Sequence, residues 1–169
     1  EANSILGSPE GHERSEVQFS QRDDLLVEDP DYGYELVGSV DSGCVTGSGV
    51  IVAVLDTGID RTHELFAGRL VPGWNVIDGT DNVDEIQDGI DNDGDGSTDE
   101  MFGHGTHVSG IVARVAPGAT ILPIKVLNDD GIGDAFGLAQ GLIVAMTSGA
   151  DVINLSLSSV TDSQIVRRA

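Results

Sequence analysis

The stretch GVIVAVLDTG, residues 49–58, decides the fold of this chain. Its first seven residues are apolar or small without a polar interruption, a pattern typical of a strand buried on both faces of a parallel sheet. Asp56-Thr57-Gly58 ends the run with residues that favour a turn. Ligand-binding and catalytic groups collect at the carboxyl ends of such strands. Asp56 is therefore a candidate functional residue, although a turn-capping role explains it equally well on its own.

Downstream of this strand, the sequence predicts alternating strands and helices. Apolar residues at helical spacing, closed by glycine or proline, predict helices at 104–115 and 134–147. Shorter apolar runs predict strands at 73–77, 120–127 and 151–157, and residue 161 opens a further helix. The order strand, helix, strand, helix, strand predicts an α/β fold with a parallel sheet and right-handed crossovers.

The first of these helices opens with HGTHVSG, residues 104–110. The positive end of a helix dipole disfavours a charged imidazolium, so we expect His104 to be neutral, as a general base must be. A buried carboxylate such as Asp56 would orient the ring and stabilise the charge that it acquires. His107, one turn later, could instead form a metal pair with His104, but no third ligand is evident on the helix. We expect His107 to pack within the helix.

Taken together, these motifs resemble the N-terminal half of the catalytic domain of subtilisin-like serine peptidases, the subtilases. Asp-Thr-Gly after an apolar strand and HGTHVSG opening a helix match two motifs of that family. The stretch KVLNDDGIGDAFGLAQGLIVAMTSGADVINLSLSS also aligns, so that the resemblance covers about residues 32–169. It implies a three-layer subtilisin-like α/β fold whose C-terminal half is missing, and a secreted serine endopeptidase that uses an Asp-His-Ser triad on protein or peptide substrates.

The resemblance also implies residue roles. Asp56 would orient the base and His104 would be the base. Two stretches would flank the substrate backbone: Gly131 to Gly133 on one side, and Leu155, Ser156, Leu157 and Ser158 on the other. The nucleophilic serine and the oxyanion asparagine are expected beyond Ala169, so we expect the 169 residues alone to be inactive.

Two positions depart from the family pattern. Ser158 stands where the family usually has glycine, which affects the width of the specificity pocket. His63-Glu64-Leu65-Phe66 replaces the usual His-Pro-Asp-Leu, so the family's high-affinity calcium site is not carried over.

An acidic segment, residues 78–100, precedes the catalytic helix. Within it, DNDGDGSTD places oxygen ligands in the order of an EF-hand-like calcium loop, with glycine at the sixth position. The loop lacks the final glutamate, a role that Glu100 or Asp88 could fill. A solvated acidic loop is the alternative. The predicted Ca²⁺ ligands are Asp91, Asp93, Asp95, Ser97 (through its carbonyl) and Asp99.

Charge and the N-terminal region set further limits. The net charge of −21 comes from 29 acidic and 8 basic residues, so we expect neither nucleic acid nor a membrane as a partner. Residues 1–31 are polar and irregular apart from a possible helical turn at 21–28. We expect them to be an extension or the tail of a pro-segment, preceding a partial catalytic domain at 32–169. Cys44 has no partner for an internal disulfide.

Two other functions stay open on the sequence. A truncated or degenerate subtilase could act as a calcium-binding or peptide-binding module without catalysis. A metal hydrolase that uses His104, His107 and Asp56 is the weaker alternative.

Overall fold

The computed structural model describes residues 4–6, through their backbone alone, and residues 46–158. Within these ranges, the longer helices and strands alternate along the chain, and a 3₁₀ turn at Glu64–Phe66 follows the first long strand. The elements are β1 (Ser4–Leu6), β2 (Ile51–Asp56), β3 (Trp74–Asn75), α1 (His104–Val115), β4 (Thr120–Lys125), β5 (Ile132–Asp134), α2 (Ala135–Thr147) and β6 (Val152–Leu155).

Four parallel strands form the main sheet in the order β3-β4-β2-β6. Asp56, the last residue of β2, is paired with Lys125 of β4, and Leu55 is paired with Leu155 of β6. The carboxyl ends of these strands therefore lie along one edge of the sheet. This arrangement confirms the predicted α/β fold with a parallel sheet.

Alternate residues of β2 pack into two separate cores. Ala53 and Leu55 belong to a cluster shared with α2, whereas Val52 and Val54 belong to a cluster shared with α1. Because both faces of β2 are covered by a helix, the strand needs no polar residue until Asp56. The burial of both strand faces predicted from residues 49–55 is confirmed, as is the three-layer arrangement that the family resemblance implies.

Two short strands differ from the expectations. The strand predicted at 73–77 is limited to Trp74–Asn75, because the Asn75 side chain accepts hydrogen bonds from the N–H groups of Ile77 and Asp78 and turns the chain. The strand β1 was not predicted; it pairs antiparallel with β5, with residue 5 opposite Gly133. The predictions at 21–28, at Cys44, at the boundary near residue 32 and at the helix from 161 lie outside the described residues.

Across the described part of the chain, no helix has both the length and the apolarity required to cross a bilayer.

The one lysine of the sequence, Lys125, is buried at the end of β4 beside the turn that follows β2. Its Nζ donates to the carbonyl oxygen of Thr57 and to Asp129 Oδ2, the latter at 3.0 Å. Burial raises the pKa of Asp129, and the Lys125 hydrogen bond and charge oppose that rise. The ammonium group therefore joins the turn after β2 to the turn after β4.

Replacing Lys125 with methionine should lower the free energy of unfolding by about 3–5 kcal/mol, because Asp129 would stay buried without its cation. Urea denaturation measures this loss. The Lys125→Met/Asp129→Asn double variant should recover much of it, since the amide oxygen can still accept from the N–H of Ile86 without carrying a charge. Equal stability of Lys125→Met and the unmodified protein would contradict the inferred role of the pair.

Candidate active site

Asp56 and His104, which are 48 positions apart in the sequence, are in contact. Asp56 Oδ1 lies 2.7 Å from His104 Nδ1. Asp56 ends β2, and its carboxylate is almost completely buried. His104 is the first residue of α1, and 23% of its side chain is exposed. A contact through Nδ1 leaves Nε2 available to exchange a proton with a bound group. A buried acid that orients a partly exposed imidazole is an arrangement suited to general base catalysis.

Two glycines allow α1 to begin close to the turn after β2. Gly103, the N-cap of α1, has a φ of 89°, a left-handed conformation that glycine adopts without strain. At Gly105, an added Cβ would lie 2.1 Å from the carbonyl oxygen of Gly58. A side chain there would push the helix away from the turn, and the contact between Asp56 and His104 would be lost.

Thr57 and Glu85 join the turn after β2 to the start of α1. The Thr57 N–H donates to Asp56 Oδ1 at 2.7 Å, and the Thr57 hydroxyl donates to Glu85 Oε1 at 2.5 Å. Glu85 Oε1 also accepts from the N–H of Gly105 at 3.1 Å, while Oε2 accepts from the Thr106 hydroxyl at 2.5 Å. The carboxylate of Glu85 therefore bridges the neighbours of both candidate catalytic residues.

The pKa of His104 is raised above its ordinary value. Burial is the largest single influence and acts to lower this pKa, but the Asp56 hydrogen bond, the Asp56 charge and the Glu85 charge together outweigh it. The helix dipole considered in the sequence analysis would lower this pKa, whereas the charges of Asp56 and Glu85 act to raise it. Asp56 and Glu85 stabilise the imidazolium that a general base becomes after it accepts a proton.

The residues predicted to contact substrate lie in two places. Gly131 precedes β5, and Gly133 lies within it, where an added Cβ would lie 2.4 Å from the carbonyl oxygen of Val126. One edge of β5 is paired with residues 4–6 of the same chain. Leu155 ends β6 beside β2, so the segment that follows begins level with Asp56; that segment contains Ser156, Leu157 and Ser158.

The acidic loop brings together three of its five predicted calcium ligands. Carboxylate oxygens of Asp91, Asp93 and Asp95 lie within 4.8 Å of one another. The carboxylate of Asp99 instead accepts from the N–H groups of residues 88 and 89, at 3.0 and 2.9 Å. The N–H of Ser97 donates to Asp95 Oδ1 at 2.7 Å.

Burial and neighbouring acids raise the pKa of two carboxyls at this loop. For Asp93 the largest cause is burial, followed among the raising influences by the charge of Asp95. For Glu100 burial again comes first, and the charges of Asp130, Asp95 and Asp93 add to it. Glu100 therefore lies close enough to Asp93 and Asp95 for their charges to raise its pKa.

A pair of aspartates after β4 holds this loop against the fold. Asp130, which is 1% exposed, accepts from the N–H of Asn92 at 2.5 Å and from the N–H of Asp99. The carbonyl oxygen of Asp129 accepts from the N–H of Met101 at 2.8 Å. Sequence reasoning missed these anchors, although two adjacent acids directly after an apolar strand are an available signal.

The remaining histidines and acids of this region order loops. Asp60 Oδ1 accepts from the N–H and the hydroxyl of Thr62, and His63 caps the 3₁₀ turn by accepting from the N–H of Leu65. His107 is exposed on α1, contrary to the expectation that it packs within the helix. Within the described ranges, the residues grouped with metal-binding geometry are the three aspartates of the acidic loop, not His104 with His107. The geometry gives the metal-hydrolase alternative no support.

A model of the subtilase family, peptidase S8, matches residues 47–168. The chain belongs to the subtilase family. This subtilase is 34% identical over 133 residues to thermitase of Thermoactinomyces vulgaris. The aligned region covers 73% of the chain and 42% of thermitase. It is 40% identical over 134 residues to subtilisin BL of Lederbergia lenta, covering 74% of the chain and 43% of that protein.

A solved structure agrees with these sequence relatives. The crystal structure of a cold-adapted subtilisin-like serine proteinase superposes with a TM-score of 0.59 and 27% identity, covering 74% of the chain and 42% of that protein. The subtilase described here is thus a member of the subtilisin-like serine peptidases by family and by fold. It spans less than half the length of these relatives.

Proposed function

We propose that the complete protein is a serine endopeptidase in which Asp56 and His104 are two members of an Asp-His-Ser triad. The observation that supports this proposal is the 2.7 Å contact between a buried carboxylate and a partly exposed imidazole at the carboxyl edge of the sheet. Membership of the subtilase family supports the same assignment. The nucleophilic serine and the oxyanion asparagine are proposed to lie outside the 169 residues, in the part of the domain that completes the cleft.

In this mechanism, His104 accepts the hydroxyl proton of the serine as the serine attacks the peptide carbonyl carbon. The resulting imidazolium is stabilised by Asp56, and it then donates the proton to the leaving amine. Hydrolysis of the acyl-enzyme repeats the proton transfers with water as the nucleophile. The second half of the domain would also cover β6, the edge strand of the sheet within the described residues, where Val152 and Leu155 are 49% and 42% exposed.

The substrate is proposed to be an extended peptide held by its backbone beside β5. The pairing of residues 4–6 with β5 supports this, because an extended segment of the chain itself lies there in antiparallel register, where a substrate would take its place. Main-chain pairing of this kind holds a peptide largely independently of its sequence. The segment after β6, Ser156 to Ser158, is proposed to line the opposite side of the cleft.

An assay of the complete protein tests this function. It should hydrolyse an unstructured protein substrate and lose that activity on treatment with a serine-directed phosphonate that attaches covalently to one serine. A complete protein that binds peptides without cleaving them would instead favour the non-catalytic subtilase module. Retention of activity after complete phosphonate labelling would contradict a serine nucleophile.

We propose in addition that the acidic loop binds Ca²⁺ through Asp91, Asp93 and Asp95, with Glu100 as a further ligand. The donors are all oxygens, which suits Ca²⁺. Backbone N–H groups of residues 94, 95 and 96 converge on Asp91, so the loop already wraps around that carboxylate. The ion would supply positive charge to a cluster whose acids otherwise repel one another.

Calcium should raise the melting temperature of the chelated protein, since a ligand at about 100 times its dissociation constant adds about 2.7 kcal/mol of stability. Calorimetric titration after chelation should show binding at or below millimolar concentration. Asp91→Asn should abolish both effects. Asp81→Asn is the matched control, because it removes one exposed acidic charge near Arg61, outside the cluster, and should preserve both. No heat of binding at millimolar calcium would refute the site.

We also propose that the protein acts outside the cell. An incomplete EF-hand-like ligand set suits the weak binding of extracellular calcium sites, which are filled at millimolar calcium. One relative is named for the opposite setting, an intracellular serine protease of Paenibacillus polymyxa that is 37% identical over 125 residues. Immunodetection of the protein in the culture medium and in the cell lysate of its source would distinguish the two locations.

A further inference from the structure

We propose that Glu85 is a positioning residue for the catalytic pair, holding Asp56 and His104 in contact by joining the residues beside them. This inference rests on the proposed function of Asp56 and His104. It concerns a residue of the loop before α1 whose hydrogen bonds go to Thr57, Gly105 and Thr106 rather than to the imidazole.

The hydrogen bonds of Glu85 connect two segments that are distant in sequence. Its Oε1 accepts from the hydroxyl of Thr57, which directly follows Asp56, and its Oε2 accepts from the hydroxyl of Thr106, two residues after His104. Oε1 also accepts from the N–H of Gly105. The end of β2 and the first turn of α1 are also bonded directly, since the Thr57 hydroxyl accepts from the N–H of Gly105 at 2.9 Å. The carboxylate of Glu85 adds a second link, bonded to both Thr57 and Thr106.

The position of Glu85 is itself fixed from both sides. The carbonyl oxygen of Val83 accepts from the N–H of Ile59 at 2.9 Å, and the N–H of Ile86 donates to Asp129 Oδ1 at 3.2 Å. Because neighbours on each side are bonded to the fold, Glu85 meets its partners without a further ordering step. Such preorganisation is what holds a catalytic geometry to within a fraction of an ångström.

The negative charge of Glu85 is favourable beside the N-terminus of α1 and near His104. The first N–H groups of a helix carry partial positive charge and lack partners within the helix, so a carboxylate bonded to the N–H of Gly105 stabilises α1. The charged groups that face His104 are Asp56 from β2 and Glu85 from the loop, and both favour the imidazolium. Glu85 thus contributes geometry through hydrogen bonds and an electrostatic field through its charge.

Three variants of the complete protein separate these contributions. Glu85→Ala removes the bridge and the charge, and should lower kcat about 10²-fold with little change in KM, because the catalytic pair loses its alignment. Glu85→Gln keeps an acceptor for Thr57 and a group that can bond Thr106, so most of kcat should return. Without the charge, however, the pKa of His104 should fall, and the acid limb of kcat/KM should move to lower pH.

Asp84→Asn is the matched control, because it removes a negative charge one position away. Asp84 pairs with Arg61 rather than with Thr57 or Thr106, so kcat and the acid limb should stay unchanged. An equal shift of the acid limb in Asp84→Asn and Glu85→Gln would overturn the proposal, as would unchanged kcat in Glu85→Ala.

Nuclear magnetic resonance titration of the histidine ring signals supplies a measurement independent of peptidase activity. Glu85→Gln should move the midpoint of His104 to lower pH. If the complete protein proves to lack peptidase activity, the proposed function fails, while this titration still tests the influence of the Glu85 charge on His104. An unchanged His104 midpoint would overturn the role of Glu85 even in an active peptidase.

Discussion

Replacing His104 with alanine in the complete protein should lower kcat for peptide hydrolysis by about 10⁶-fold, the magnitude known for loss of the base in subtilisin, a family relative. The imidazole is the group next to Asp56 that can take a proton from a serine hydroxyl, through Nε2. Alanine cannot accept the serine proton, and it leaves Asp56 buried without its partner. The residual rate would therefore come from substrate binding and oxyanion stabilisation alone. Single-turnover measurements with an activated ester and a peptide would quantify the loss.

His107→Ala is the matched control for this prediction. It removes a second histidine from the same helix, one turn later, at an exposed position. Peptidase activity should survive this change, because His107 is not placed against Asp56. Comparable losses in His104→Ala and His107→Ala would favour a metal pair on α1 and count against the serine mechanism.

The raised pKa of His104 gives the same residue opposite effects on activity and stability. A base must be deprotonated, so activity should fall as the pH drops through a pKa that lies above the ordinary histidine value. The stabilising interaction with Asp56 and Glu85 favours the protonated form instead. Its contribution to stability is present at acid pH and is lost as the pH rises through the folded-state pKa. Activity therefore appears over the range in which this contribution to stability is lost.

The sequence was sufficient for the features that depend on local patterns. The bounds of α1 agree with the prediction because Gly103 precedes its first residue and Pro117-Gly118 follows its last turn. Asp56 was identified because an uninterrupted apolar run placed it at the carboxyl end of a buried strand. The meeting of Asp56 with His104 followed from combining that rule with the family resemblance, and the structure places the two side chains in contact.

Features that depend on contacts between distant segments were not predictable in this way. Glu85 is one acid within an acidic segment, and its role follows from bonds to residues 28 positions before it and 21 after it. The pairing of β1 with β5 joins two three-residue strands separated by more than 120 positions. Neither feature has a periodic pattern. In the acidic loop, spacing indicated five ligands, but two backbone N–H groups hold Asp99 elsewhere.

Replacing Asp56 with asparagine should lower kcat by about 10⁴-fold, less than the loss of His104 but far more than a surface change. Asp56 Oδ1 accepts from the Thr57 N–H and faces His104 Nδ1, both at 2.7 Å, so an asparagine oxygen at this place can keep both contacts. The change then removes the negative charge and places an amide NH₂ where the buried Oδ2 lay. The geometry is retained, while the imidazolium loses its main stabilising charge.

Two measurements distinguish this charge effect from a loss of folding. Urea denaturation should show that Asp56→Asn remains folded, and ring titration should show the midpoint of His104 moving to lower pH, since the Asp56 hydrogen bond and charge act to raise its pKa. Asp60→Asn is the control: Asp60 is an exposed acid on the same loop that bonds Thr62 rather than the imidazole. If Asp56→Asn kept the wild-type kcat while binding substrate normally, Asp56 would be a turn-capping residue and the triad assignment would fail.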